Sequence, residues 1–234
     1  IAVMLPGLLP CDDPAPVMLV LRVLATFDMS GMKLLPFVHD IVSLYLDDPD
    51  PGIRRQAVQT CTAVIAQYTD PVISPPRGPT ARLRCKVLDR VLTIAVADHD
   101  CSIRSAAITA LRTEFDSDLS QAKMLRSLFI ALNDEVFEIR EKTIAVIGRL
   151  TTRNPAYIMP SLRKTLIQLL TELEYSSDSR GREQSSQLLC HLIRASKRLV
   201  KPYATPILKV LRPRLHDPHP GVATSVLRTL GELS

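Results

Sequence analysis

A few residue clusters in this 234-residue chain have the types that chemistry uses, and each must be weighed against the element that would hold it. His216-Asp217-Pro218-His219-Pro220 offers metal-ligand side chains. A zinc site needs three or four ligands in a closed set, and no third or fourth ligand stands near this run. Its two prolines and its place between apolar segments make it a helix junction. Cys190-His191 has the residue types of a nucleophile and its base. Adjacent residues on a helix point in different directions, so the two cannot face each other there. Arg194, Lys197, Arg198 and Lys201 form a basic run. Cations at a helix C-terminus are favoured by the macrodipole, and the aromatic interleaving that suits single-stranded nucleic acid is lacking. There is no GxGxxG, no GxxxxGK[ST], and no kinase HRD or DFG signature. The reading is a chain without catalytic, metal or cofactor residues.

The elements that would position any such residues are repetitive. One helix-opening pattern occurs six times, anchored at Val17, Ile53, Ile103, Ile139, Gly181 and Val222. Five places before each anchor stand Asp12, Asp48, Asp98, Asp134, Ser176 and Asp217. One place after stand Met18, Arg54, Arg104, Arg140, Arg182 and Ala223. Small or apolar residues follow at plus four, Ala57 and Ala107 among them, and at plus eight come Cys61, Leu111, Ile147, Leu189 and Leu230. These positions, with Ile139, are the expected repeat core. The anchors lie 36, 50, 36, 42 and 41 residues apart. Self-similarity near 40 residues marks stacked two-helix repeats, which work by presenting a long surface rather than a pocket.

The expected fold is all-α, a solenoid of about six helix pairs with incomplete terminal repeats. It forms one segment over residues 1–234. The first helices of the pairs are expected at about 32–46, 81–97, 119–132, 156–174 and 203–215. The second helices are expected from Ile53 and at 101–114, 136–151, 180–196 and 221–233. Asn154-Pro155 reads as an N-cap with proline at the first helical position. Thr69 to Thr80 holds four prolines and one glycine and is expected to be an exposed loop. A tolerated insertion is the simpler account of it, and a polyproline docking segment the alternative. The turn aspartates suit the positive end of the second helix. A ladder of Asp–Arg contacts between neighbouring repeats, exposed and worth roughly 0–1 kcal/mol each, would fix register.

Composition agrees with this reading. Hydrophobic residues make up 46% of the chain, aromatic ones 4%, with no Trp. Such a core of Leu, Ile, Val and Ala suits close helix packing. The net charge of +5 is spread among charges of both signs, which describes a solvated helical surface. Five cysteines without a CxxC spacing point to buried thiols in a reducing compartment. No run of 18 apolar residues offers a membrane span. The chain starts and stops within the pattern and is read as a fragment of a longer repeat protein.

The Asp followed six residues later by Arg resembles the HEAT repeat. A longer match is more specific. Phe115-Asp116-Ser117-Asp118-Leu119, SLFIALNDEVFEIRE (127–141), IGRL (147–150), NPAYIMPSLRKTLIQLLTELEYS (154–176), KPYATPILKVL (201–211) and GVATSVLRTLGEL (221–233) resemble the N-terminal HEAT-repeat region of the target of rapamycin kinases. FDMSGMKLLPFV (27–38) and IRRQAVQTC (53–61) fit more thinly, and 176–186 departs most. The resemblance implies a non-catalytic scaffold section of a large Ser/Thr kinase acting in growth and nutrient signalling. Its implied partners are a raptor-like subunit and a second copy of the kinase. Its implied location is the cytoplasm, with peripheral association of the parent complex with endomembranes. The alternative is a HEAT-repeat adaptor that binds nucleic acid or a nuclear-transport partner.

Overall fold

The computed structural model describes residues 13–27, 35–40, 42–67 and 78–233. Asp12, Cys11, Leu34, Ile41 and most of the expected loop, 69–77, lie outside the described residues. All the regular structure among the described residues is helical. The chain divides into two compact units, 1–118 and 119–234.

In the first unit, α1 (Pro14–Thr26) lies against α3 (Pro51–Ala66), and α3 lies against α5 (Cys101–Thr109). These are second helices of successive pairs. Their partners are a broken helix, α2 (Leu35–Asp40) continued by a 3-10 turn at Val42–Asp47, and α4 (Pro79–Ala97). The expected helix over 32–46 is therefore not continuous. Ser43 Oγ donates to the carbonyl of His39 four residues back, and such a bond offers the backbone an alternative to the α-helical ladder. Pro79 and Thr80, assigned to the loop by the sequence, are the first residues of α4. Gly78 precedes them with φ +114°, a conformation only glycine takes freely, and Pro79 occupies the position where a missing N–H costs nothing.

In the second unit, α8 (Phe137–Leu150) lies against α10 (Ser179–Ala195), and α10 against α13 (Pro220–Leu233). Their partners are α7 (Ala122–Ala131), α9 (Pro155–Tyr175) and α12 (Ala204–Arg214). The expected helix over 119–132 is split, with α6 (Asp116–Leu119) ahead of α7. The helix expected over 101–114 ends at Thr109, and Leu111 is buried beyond it. A short α11 (Lys197–Val200) and a 3-10 turn lead into α12.

The core follows the apolar stripe of each helix. In α9, Ile158, Leu162, Leu166, Leu169 and Leu173 are buried, a spacing of three or four residues that puts all of them on one face. α8 passes very close to α10. A Cβ placed on Gly148 would lie 2.1 Å from Ala195 Cβ and 3.1 Å from its Cα, so glycine is required by contact rather than by conformation.

Candidate functional site

Among the described residues no group of three or more metal-ligating side chains gathers, and the organised polar structure sits at the turns between the two helices of a pair. The residue five before each anchor builds the turn. Asp48, Asp98, Asp134 and Asp217 each accept, on Oδ1, the N–H two residues on, at 2.9, 2.9, 2.8 and 3.0 Å. Ser176 does the same with its hydroxyl, from the Asp178 N–H at 3.3 Å. Capping of the second helix falls to a different residue from the one expected. Asp50 accepts from the Ile53 N–H, Asp100 from Ser102, and Asp178 from Arg180 and Gly181. These aspartates stand three places before the anchor, where the chain is still extended and the side chain can reach back to the first free N–H groups.

The arginine at plus one ties turns together. Its Nη1 donates to carbonyls of its own turn: Arg54 to Asp48 and Pro49, Arg104 to Asp98 and His99, Arg182 to Ser176 and Ser177. In Arg54 and Arg182 the other nitrogens reach the turn aspartate of the following repeat. Arg54 Nε and Nη2 meet Asp98 at 2.8 and 3.1 Å, and Arg182 Nε and Nη2 meet Asp217 at 2.9 and 3.1 Å. These paired, parallel bonds are the strong form of the interaction. They are also far from the exposed contacts expected from sequence. The Asp98 and Asp217 side chains are 3% and 0% exposed, because the stacked turns close over them. Burial alone would raise the Asp217 carboxyl, but hydrogen bonds from Arg182 and the His219 N–H outweigh it and hold the group below the ordinary carboxylate value. Arg54 is raised, first by its bond to Asp98.

Arg140 departs from this arrangement. The residue in the Asp98 and Asp217 position of the next repeat is Ser176, which has no carboxylate. Arg140 Nη2 donates to Gln184 Oε1 at 2.8 Å, and its guanidinium lies 5.8 Å from the Phe137 ring centre. Its Nε is buried without a hydrogen-bond partner.

The residues expected in the repeat core are placed as follows. Ala57, Cys61, Ala107, Leu111, Ile139, Ile147 and Leu189 are all buried. Leu230 is only half-buried. The face that α13 turns inward carries Val222, Ser225, Val226 and Thr229, and Leu230 stands at its edge. Burial pushes the Cys61 thiol up to about 12, so it is protonated and inert. Cys190 is buried too, and His191 Nε2 turns away to Glu141 at 2.9 Å. Asn154 Oδ1 accepts from the Tyr157 N–H, and its Nδ2 donates to the Ser120 carbonyl. In the basic run, Arg194 and Lys197 meet Glu232 of α13 at 2.8 and 3.5 Å, so part of that charge is a link between helix pairs. His219 lies 3.8 Å from Glu183, and no group of three or more metal-ligating side chains occurs among the described residues.

Sequence reasoning missed two kinds of contact. Arg84 Nε and Nη2 clamp Asp118 at 2.7 and 3.1 Å with both side chains buried, outside the repeat pattern that drew attention to the turns. Thr60 and Thr229, at plus seven, donate across to the Leu21 and Ser186 carbonyls of the preceding second helix. A threonine on an apolar stripe was the available signal: buried without a partner, its hydroxyl would be costly.

No protein-family model matches the chain. Over 231 residues, 97% of its length, it is 41% identical to the serine/threonine-protein kinase mTor of Drosophila melanogaster. Over 218 residues, 93% of its length, it is 42% identical to the serine/threonine-protein kinase tor1 of Schizosaccharomyces pombe. The chain spans about a tenth of the length of these relatives, 9% of each. Among solved structures, a designed armadillo repeat protein aligns over 96% of both chains with a TM-score of 0.51 at 14% identity. That likeness shows the fold, an α-helical repeat solenoid. The similarity in sequence is to one segment of the target of rapamycin kinases.

Proposed function

We propose that this chain is a non-catalytic scaffold section of a target of rapamycin-like Ser/Thr kinase, and that it supports kinase dimerisation and binding of a raptor-type subunit. The observation that carries the reading is the similarity of about 40% over nearly the whole chain to a tenth of each kinase, in a segment built wholly of stacked helix pairs where it is described. Its polar organisation is spent on holding repeats in register. What remains for function is the outward surface, which is how repeat arrays bind. Among the described residues no helix is long and apolar enough to cross a membrane.

Arg153, Arg163 and Lys164 are exposed and suitable for the test. Charge-reversal sets at these and other exposed positions, introduced in the full-length kinase, should leave the chain folded. At least one set should reduce co-purification of the raptor-like subunit or of the second kinase copy. Normal assembly of every set over all exposed faces would make the segment a spacer and refute the binding role.

A further inference from the structure

Arg140 has the beginnings of a rung and lacks its end. In the complete rungs, Nε and Nη2 of one arginine hold the two oxygens of one aspartate. At Arg140 the following turn supplies Ser176, whose hydroxyl is occupied within that turn by the Asp178 N–H. Gln184 gives Nη2 a neutral acceptor, and Nε has none. A buried N–H without an acceptor is destabilising, and more so when it belongs to a charged group. Arg140 also lines a cavity of about 160 Å³, together with Asn133, Thr165, Gln168 and Glu172. The carboxylate in this lining is already engaged: Glu172 accepts from Ser185 Oγ at 2.6 Å and from Gln168 Nε2 at 3.1 Å.

We propose that Arg140 and this cavity receive the side-chain carboxylate of an aspartate or glutamate presented by a protein partner. The incoming group displaces Gln184 from Nη2 and, with Gln184 moved aside, satisfies Nε, so one bond to a neutral acceptor is exchanged for two to a carboxylate. The two complete rungs show that the same arginine position, in the same turn, is built to take this group. The cavity gives an intruding side chain room, and Asn133, Thr165 and Gln168 give its lining a polar part, their donors already held by Phe129, Ser161 and Glu172. The inference deepens the scaffold reading by naming the chemistry of one docking point.

The test labels arginine with nitrogen-15 in the 234-residue chain and follows the side-chain Nε–H resonances. Arg140→Lys identifies the Arg140 signal. The probes are acetyl-Gly-Asp-Gly-amide and, as control, acetyl-Gly-Asn-Gly-amide. The expected result is a downfield shift of the Arg140 signal that saturates with the Asp peptide and is absent with the Asn peptide, while Arg54 and Arg182 stay still. Ser176→Asp supplies the carboxylate from within, so in that variant the signal should start downfield and ignore the peptide. Equal response to both peptides, equal movement of all exposed arginines, or a Ser176→Asp chain that responds like the parent would each overturn the proposal. None of these outcomes depends on assembly of the full kinase, so failure here is distinguishable from failure of the scaffold reading.

Discussion

Arg182 and Arg140 stand at the same position of successive repeats in the second unit, and the residue that opens the turn each one faces is Asp217 for the first and Ser176 for the second. Arg182 meets a buried carboxylate, Asp217, with two nitrogens and its own turn with the third. Arg140 meets a serine position, borrows a glutamine, and leaves one nitrogen unsatisfied. In the first unit, Arg54 and Asp98 repeat the complete form. The repeat therefore specifies a cross-turn clamp whose two halves lie about 40 residues apart, and loss of either half shows only in the neighbouring repeat. Stacking itself survives the loss, because the apolar stripes of α8, α9 and α10 are buried regardless. Apolar burial holds the repeats together, and the clamp sets how they register.

The sharpest break of this comparison is truncation of the two arginines. Arg182→Ala leaves the buried Asp217 carboxylate with only the His219 N–H and Arg214 Nη1 at 3.5 Å, and should cost up to about 3–5 kcal/mol in urea unfolding. Arg140→Ala removes one hydrogen bond to a neutral acceptor together with one unsatisfied buried donor, whose effects oppose each other, and should cost no more than about 1.5 kcal/mol. Equal losses would mean that the Asp217 carboxylate is stabilised from elsewhere.

Next in size is the close approach of α8 and α10. Gly148→Ala drives a methyl into the Ala195 backbone and should lower stability by about 1–3 kcal/mol, read from the shift in denaturation midpoint. Gly221→Ala meets only the far end of the Glu183 side chain, which can swing aside, and should cost less than Gly148→Ala. A reversed order would mean that the two helices are not packed as described.

Smaller still is the repair. Ser176→Asp restores the missing carboxylate at a partly exposed turn and should raise stability by up to about 1 kcal/mol. The gain should vanish when Arg140→Ala is added, and a gain that persists would place the new charge elsewhere.

The pH dependence follows from Asp217. Its carboxyl titrates lower in the folded chain than in the unfolded one. Its stabilisation is therefore fully present above the ordinary carboxylate value near 4 and is lost as pH falls through the folded value below it. Asp217→Asn should be less stable at pH 6 and should lose less than the parent chain between pH 5 and pH 2.5. Parallel pH profiles for the two would remove the clamp from the acid response.

Much of the architecture was legible because it is periodic. The apolar spacing of α9 and the Asp-to-Arg interval of six residues are local patterns, and local patterns survive in a sequence. What was illegible depends on which surfaces meet. Nothing in the spacing of Asp98 or Asp217 shows that the next turn covers it, so pairs that look exposed are buried. The caps at Asp50, Asp100 and Asp178 were present in the sequence but overshadowed by the more regular aspartate two places earlier. Gly148 looks like a helix-weakening glycine until Ala195 is found against it. Arg84 and Asp118 lie off the repeat, and no period could join them. Leu230 shares its repeat position with buried residues, yet the inward face of α13 is set by Val222, Ser225, Val226 and Thr229.

Arg54 and Arg182 couple to the aspartate of the following turn, and Arg140, which meets Ser176 there, does not. Two double-mutant cycles in urea test it: Arg182→Ala with Asp217→Ala, and Arg140→Ala with Gln184→Ala. The account predicts a coupling above about 1.5 kcal/mol for the first pair and about 0.5 kcal/mol for the second, the upper and lower parts of the range of about 0.5–3 kcal/mol that contacting residues show. Equal couplings, or the larger one at Arg140 and Gln184, would contradict it.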